Sequence, residues 1–131
     1  MGRLVTFNLA GMTFEYDEDK NQTNIEKHGL SFKSAARIFW DYNRIEFYDE
    51  RHSTDEEWYN TIGDVSAISL SENNVIIIGS FEHTKKIDQI LFVVYTERYQ
   101  IKSDGTEKDV IRLISARSAT SFERGLYYGK F

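Results

Sequence analysis

Residues 20–32 constrain the fold of this chain most, because they contain the end of one predicted helix and the beginning of the next. Asp17 or Asp19 can cap the first helix, since a short carboxylate accepts hydrogen bonds from the free N–H groups of an opening turn. Gly29 suits the left-handed conformation that ends a helix, and Ser31 suits the cap of the following one. Two helices in close succession are therefore expected, the second ending near residues 40–41.

The two predicted helices differ in the faces that they present. Apolar residues recur at helical spacing in the second helix, which predicts a buried face. That face consists of Phe32, Ala35, Ala36 and Phe39. Polar residues at i, i+4, i+7 and i+8 form one stripe along the first helix. The stripe consists of Lys20, Asn24, Lys27 and His28. Ile25 and Leu30 are then expected to anchor the first helix to the core.

Most of the remaining chain has the patterns of β-strands, with dense β-branched and aromatic residues or alternation of polar and apolar residues. The predicted strands are residues 4–9, 12–16, 44–48, 58–63, 75–81, 89–96 and 110–115. Turns are expected at 10–11, 71–74 and 104–105, an exposed hairpin end at 82–88, and a charged connector at 49–57. Thr120 and Glu123 form a capping box that predicts a short C-terminal helix. The predicted class is α+β, in two layers.

Composition narrows the classes of function. The chain of 131 residues is expected to be one domain. It has no cysteine, which excludes disulfides, thiol nucleophiles and thiolate metal sites and suits a reducing cytoplasm. No apolar run approaches the roughly 20 residues that span a bilayer, so no membrane association is expected.

The net charge argues against a nucleic-acid partner, and the distribution of charge along the chain weakens that argument only in part. The net charge is −5, whereas binding to phosphates favours an excess of lysine and arginine. The acidic excess lies in residues 15–57, which hold 12 acids and 6 bases, while residues 58–131 hold 9 of each. The arginines of the C-terminal half can therefore still gather on one face, and an acidic surface suits a basic partner.

Several blocks of sequence, occurring in a fixed order, resemble one known family. The blocks are FEYD at 14–17, KN at 20–21, KHG at 27–29, DERHS at 49–53, TIG at 61–63, LFVVYTER at 91–98 and IRLISARSAT at 111–120. They resemble BrnT, a family of ribonuclease toxins from bacterial type II toxin–antitoxin pairs. The likeness covers most of residues 14–128. Because chains of that family usually start near Phe14, residues 1–13 are expected to be an N-terminal extension of the single domain, 1–131.

The resemblance implies a fold, an activity and a partner. The implied fold is RelE-like, with two N-terminal helices packed on an antiparallel sheet of about four to six strands and a short C-terminal helix. The implied activity is metal-independent endoribonuclease cleavage that inhibits translation in the cytoplasm, without a cofactor. The implied partner is a BrnA-like ribbon-helix-helix antitoxin in a heterotetramer, which binds operator DNA only through the antitoxin.

Metal-free cleavage of RNA needs a base for the 2′-hydroxyl proton, an acid for the leaving oxygen and cations for the charge that develops on phosphorus. Histidine suits the proton transfers, and arginine suits a phosphate because its planar fork binds two oxygens. Carried over through the resemblance, the candidate catalytic residues are Lys27, His28, His52, Arg98 and Arg117. The candidate substrate-binding residues are Arg51, Arg112 and Ser115, and no metal ligands are predicted.

Five of these candidates also have a structural interpretation. Lys27 and His28 precede Gly29, where a cation favours the negative end of a helix. Arg51 and His52 lie among acidic residues and equally suit a loop held by salt bridges. Arg117 either binds phosphate or pairs with an acid such as Glu123.

The spacing of two arginines limits how they can cooperate. Arg112 and Arg117 differ in parity, so on one straight strand they would point to opposite faces. They can cooperate on one face only if the strand ends near Ser115 or Ala116 and the chain then turns into the capped C-terminal helix. The rival function is a non-catalytic binding module on the same scaffold, either a decayed toxin or one that acts through protein contacts.

Overall fold

A computed structural model describes residues 2–66, 68–70, 76–78 and 89–129. Within these residues the chain is α+β, with a six-stranded sheet, a two-stranded sheet and three α-helices. The strands are β1 (Leu4–Leu9), β2 (Met12–Asp17), β3 (Ile45–Tyr48), β4 (Trp58–Asp64), β5 (Ile68–Leu70), β6 (Ile76–Ile78), β7 (Ile90–Ile101) and β8 (Glu107–Ser118). The helices are α1 (Glu18–His28), α2 (Phe32–Ala35), which continues as a 3-10 helix (Ala36–Trp40), and α3 (Ser121–Tyr128).

Local capping chemistry fixes the helix ends where the sequence places them. The Asp17 carboxylate accepts hydrogen bonds from the backbone N–H of Asp19 and Lys20, at 2.8 and 3.3 Å. Gly29 ends α1 in the left-handed conformation, with φ of 66°. Ser31 caps α2, and α3 begins with the predicted capping box. The predicted second helix is interrupted, however, since its second half is 3-10 in character and ends at residue 40.

The large sheet is mixed, so the expectation of an antiparallel sheet is wrong at one pairing. The strand order is β1-β2-β8-β7-β4-β3, and β2 runs parallel to β8. That pairing involves only Phe14 and Glu15 of β2. The chain then leaves β2 into α1, and α1 takes the place of a strand beside the second half of β8. The backbone N–H of Ala116 in β8 accordingly donates to the Asn24 side chain of α1, at 3.4 Å.

The core lies between the sheet and the helices that follow β2. The predicted apolar face of the second helix is buried there, against alternating side chains of β2, β7 and β8. Ile25, expected to point inward, is instead 37% exposed. Asn21 and Asn24 are the buried residues of α1, and they bond the Phe32 N–H and the Leu30 carbonyl. Amides suit this interface because α1 packs on backbone groups that need hydrogen-bond partners.

A β-bulge in β8 decides which side chains share a face. Val94 of β7 pairs with Ser115, but the next residue, Tyr95, pairs with Leu113, so Ile114 is an extra residue in β8. Paired residues of antiparallel strands point to the same side. The bulge therefore brings Arg112 and Arg117 to one face of a strand that continues to Ser118. The prediction that they could share a face only if the strand ended near Ser115 or Ala116 is wrong.

Some of the remaining predicted strands and turns lie in residues that the structure describes, and others lie outside them. β1 and β2 form a hairpin about the turn predicted at 10–11, and residues 4–9 supply an edge strand of the sheet. The turn predicted at 71–74 and the hairpin end at 82–88 lie outside the described residues, and the strand predicted at 75–81 is described only at 76–78. Among the described helices, none has the length and apolar character needed to cross a bilayer.

Candidate functional site

The side of the large sheet that faces away from α1 and α2 is here named the open face. Alternation along β7 and β8 sends Leu91, Val93 and Leu113 into the core and their neighbours to the opposite side. The open face carries Trp58 and Asn60 from β4, Thr96 and Arg98 from β7, and Arg112, Ser115 and Arg117 from β8. α3 covers one end of it, where the Tyr127 hydroxyl donates to Asp41.

Three adjoining shallow pockets lie on and beside the open face in the described part of the chain. The arginine pocket, of about 190 Å³, includes Lys20, Trp58, Arg98, Arg112 and Ile114 in its lining. The helix pocket, of about 380 Å³, includes Lys20, Lys27, His28, Ile114 and Ser115. The histidine pocket, of about 420 Å³, includes Arg51, His52, Trp58, Ser115 and Arg117.

Shared lining residues make these pockets one continuous surface. Ser115 borders both the helix pocket and the histidine pocket, while Trp58 borders the histidine pocket and the arginine pocket. Every candidate site residue predicted from the sequence lines at least one of them. The structure thus places His28 and Arg117, which are remote along the chain, in pockets that meet at Ser115. Their chemical roles stay predictions.

His52 is held by Asp49, three residues earlier in the connector between β3 and β4. The His52 Nδ1 atom lies 2.9 and 3.1 Å from the two carboxylate oxygens of Asp49. The backbone N–H of His52 donates to the same carboxylate at 3.2 Å. The imidazole ring also stacks on Trp58, with 6.0 Å between ring centroids and 22° between planes. The position and the orientation of the His52 imidazole ring are therefore both constrained.

Ser53 closes the connector that carries His52. Its hydroxyl donates to the Asp49 carbonyl at 2.6 Å and accepts from the Trp58 N–H at 2.8 Å. The Asp49 N–H in turn donates to the Trp58 carbonyl at 3.0 Å. Because both ends of the turn are tied together, the charged connector is a compact structure.

The Asp49 carboxyl is adapted to this arrangement. Its side chain is 10% exposed, and that burial alone would raise its pKa. Hydrogen bonds from the His52 ring and backbone and from the Asn60 side chain outweigh burial and hold the pKa of Asp49 below its ordinary value. Asp49 is therefore an ionised acceptor at neutral pH.

Arg117 is held on the open face by a two-pronged ion pair. Its Nη1 and Nη2 atoms donate to the two oxygens of Glu123, at 2.8 and 2.9 Å. The guanidinium lies over the Phe92 ring, 4.3 Å from the centroid. Burial raises the pKa of Glu123, but the bonds from Arg117 and the Thr120 backbone outweigh it, and the pKa is lowered. The predicted pairing with Glu123 is confirmed, and it fixes Arg117 in the histidine pocket.

The other two arginines of the sheet are also paired with acids. Arg98 Nη2 lies 3.0 Å from Glu56, which also accepts from the Trp58 indole N–H at 3.3 Å. Arg112 Nε lies 3.1 Å from the buried Glu15. Each arginine of the open face thus sits beside a carboxylate, which fixes its position and offsets its charge.

Lys27 and His28 differ from the sheet arginines because they are exposed residues in the last turn of α1. A cation there is favoured by the negative helix end, as the structural interpretation predicted. The same position directs both residues to the helix pocket. Arg51 is likewise exposed, on the connector beside His52.

Sequence reasoning missed several residues of this surface. Trp58 separates two pockets and stacks on His52, and Asn60 lies next to Asp49. Trp58 and Asn60 occupy alternate positions of the predicted strand 58–63. That alternation was the signal that could have placed both side chains on one face. Glu15 could not be identified as the partner of Arg112, because residues that far apart meet only through the parallel pairing of β2 with β8.

A family comparison agrees with the resemblance. Residues 16–70 match the family model of BrnT. The BrnT family is described as the ribonuclease toxin of a type II toxin–antitoxin system. The match runs from β2 to β5 and includes Lys27, His28, Arg51 and His52, while the four candidates of β7 and β8 lie beyond it. Such a system contains an antitoxin that acts on the toxin. No curated protein matches the chain.

Proposed function

We propose that this protein is a BrnT-like toxin, an endoribonuclease that cuts RNA without a metal ion and slows translation in the cytoplasm. The observation that carries the proposal is the arrangement of the candidate residues, which come from four separate parts of the chain and line one continuous surface. The BrnT match supplies the class of activity.

The surface contains the groups that cleavage by the 2′-hydroxyl requires. One histidine accepts the 2′-hydroxyl proton, the 2′ oxygen forms a bond to phosphorus, and the bond from phosphorus to the 5′ oxygen breaks. A second proton carrier protonates the departing 5′ oxygen, which leaves a 2′,3′-cyclic phosphate and a 5′-hydroxyl. Arg117, with Lys27 and Arg51, binds the phosphate, and Arg117 stabilises the charge that develops on its oxygens. Arg98, Arg112 and Ser115 position the neighbouring backbone.

The proposed partner is a BrnA-like antitoxin, since the family belongs to type II systems. Its ribbon-helix-helix part binds operator DNA as a dimer, and the assembly is a heterotetramer. A RelE-like arrangement of the chain belongs to the same proposal. The acidic balance of the chain, with net charge −5, suits a basic partner.

One observation favours the rival function of a non-catalytic binding module. Each sheet arginine already pairs with a carboxylate, so a phosphate has to compete with Glu15, Glu56 and Glu123. A module that binds another protein through this surface would not need to displace them.

Incubation of the purified protein with total RNA separates the two functions. Wild-type protein should release fragments ending in a 2′,3′-cyclic phosphate, in the presence of a metal chelator. Arg117→Ala should lower the cleavage rate by about a hundred- to a thousandfold, because a charge that stabilises the transition state is lost. Lys102→Ala, which removes an exposed cation of the β7–β8 turn, is the matched control.

Thermal unfolding of both variants establishes that each is folded. Lack of cleavage by the wild-type protein, or equal cleavage by wild type and a folded Arg117→Ala variant, would favour the binding module over the enzyme.

A further inference from the structure

Two histidines lie on the candidate surface, and their surroundings differ. His28 is an exposed residue at the end of α1. His52 is fixed by the ring and backbone hydrogen bonds to Asp49 and by stacking on Trp58, yet its side chain is 63% exposed. A proton-transfer group works best when its direction is set before the substrate arrives. His52 meets that condition.

We infer that Asp49 is a positioning residue that holds His52 in one tautomer, and that this makes His52 Nε2 the atom that accepts the 2′-hydroxyl proton. The inference rests on the proposed function. An ionised carboxylate can only accept a hydrogen bond, so the Nδ1 atom facing Asp49 must carry a proton. In the neutral ring, Nε2 then keeps its lone pair.

The surroundings of His52 support this assignment. Arg51 and Arg117 line the same pocket, so a phosphate bound to them lies beside the imidazole. Nε2 takes the proton of the 2′-hydroxyl, the 2′ oxygen bonds to phosphorus, and the bond to the 5′ oxygen breaks. The departing 5′ oxygen takes a proton from a second proton carrier, a role we assign to His28 in the adjoining helix pocket. The positive His52 ring that results is stabilised by Asp49.

Asp49→Asn is the decisive variant. The amide oxygen of asparagine can still accept from the His52 backbone, which preserves the turn, but the negative charge is lost. The turnover number should fall at least about tenfold with KM within about twofold, since substrate binding is unchanged and only the chemical step is affected. His52→Ala should lower the turnover number by about a hundred- to ten-thousandfold.

Asp55→Asn is the matched control, because it removes the same charge from an exposed position in the same connector. Its cleavage should stay within about twofold of wild type. The double variant His52→Ala/Asp49→Asn should cut no more slowly than His52→Ala alone, because a positioning residue acts only through the group that it positions. If Asp49 had only a structural role, Asp49→Asn would lower the cleavage rate by the same factor in the wild-type protein and in His52→Ala.

Nitrogen NMR of the His52 ring, without RNA, tests the tautomer directly. The proton should lie on Nδ1 in the wild-type protein, and in Asp49→Asn the ring should become a mixture of tautomers. A proton on Nε2 in the wild type, or Asp49→Asn cleavage at the wild-type rate, would overturn the inference while the proposed function stands. A wild-type protein that cuts no RNA would remove the proposed function, and the proton transfer with it.

Discussion

The two faces of the large sheet are built from the same strands, but one forms the core and the other carries the candidate site. On the core face, side chains such as Phe14, Val93 and Leu113 are fully or almost fully buried under α1 and α2. On the open face, the same strands carry the charged and polar side chains that border the shallow pockets, beside a smaller apolar cluster of Ile62, Ile90 and Ala119 on which Tyr127 of α3 packs. Folding free energy comes mainly from the first face, because burial of apolar surface is its main source.

The open face shows how cations are placed accurately on an acidic chain. Each sheet arginine of the open face is paired with a carboxylate, which orders the side chain and keeps the surface close to neutral. Changes on the core face should therefore alter stability, while changes on the open face should alter cleavage more than stability.

The largest effect is expected at Phe14 on the core face. Its side chain is 0% exposed and packs against the rings of Phe7 and Phe39, each with 5.3 Å between centroids. Phe14→Ala should lower the free energy of unfolding by about 3–5 kcal/mol, because it leaves a cavity as well as losing burial. Denaturant unfolding measures this loss. The control is Tyr99→Ala, an exposed aromatic of β7, with an expected loss below about 1 kcal/mol. Equal losses would break the contrast between the faces.

A smaller effect, on binding, is expected at Lys27 beside the open face. Lys27→Ala should raise KM about fivefold at low salt, since an exposed charge near a phosphate contributes about 1 kcal/mol. The slope of log affinity against log salt should decrease in magnitude by about 0.7, the value for one contact with single-stranded nucleic acid. Lys33→Ala, at an exposed lysine of α2 outside the pockets, should leave both quantities unchanged. A similar change for both lysines would show that the charge effect is general.

The smallest effect is expected at Glu123 of α3, which pairs with Arg117 on the open face. Its pKa in the folded protein is below the ordinary value of 4.5, so its charge stabilises the fold at neutral pH. This contribution is lost as the pH falls through and below that value. Glu123→Gln should lower the free energy of unfolding at pH 7 by about 1 kcal/mol or less, since glutamine can still complete the capping box. The difference from wild type should shrink toward zero in acid. A difference that stays constant with pH would mean that packing, rather than charge, is responsible.

Features that depend on neighbouring residues could be predicted from the sequence. The caps at Ser31 and Thr120 and the helix end at Gly29 are set by groups within a few residues and are confirmed, and of the two caps expected for α1, Asp17 or Asp19, the structure uses Asp17. The parallel β2–β8 pairing could not be predicted, because it depends on where a distant strand docks. Ile25 was expected to point inward because the polar stripe occupies another part of α1, whereas Asn21 and Asn24 are the buried residues and bond backbone groups.

The candidate site was predictable in residue type but not in geometry. Chemistry and family likeness selected the residues, but alternation along a regular strand separated Arg112 from Arg117. The extra residue Ile114 reverses that result, and nothing in the local composition marks it. The acids that pair with the arginines come from β2, the connector and α3, so they become visible only once the strands are in register.

The ion pair between Arg117 and Glu123 determines when the surface can form during synthesis of the chain. Glu123 lies later in the chain than every other residue of the surface, and it orders Arg117 only once α3 has formed. Synthesis proceeds from the N-terminus, so the helices and early strands can collapse while this carboxylate is still inside the ribosome. An unfinished chain therefore lacks an ordered Arg117, and the surface is complete only once Glu123 has left the ribosome and α3 has formed.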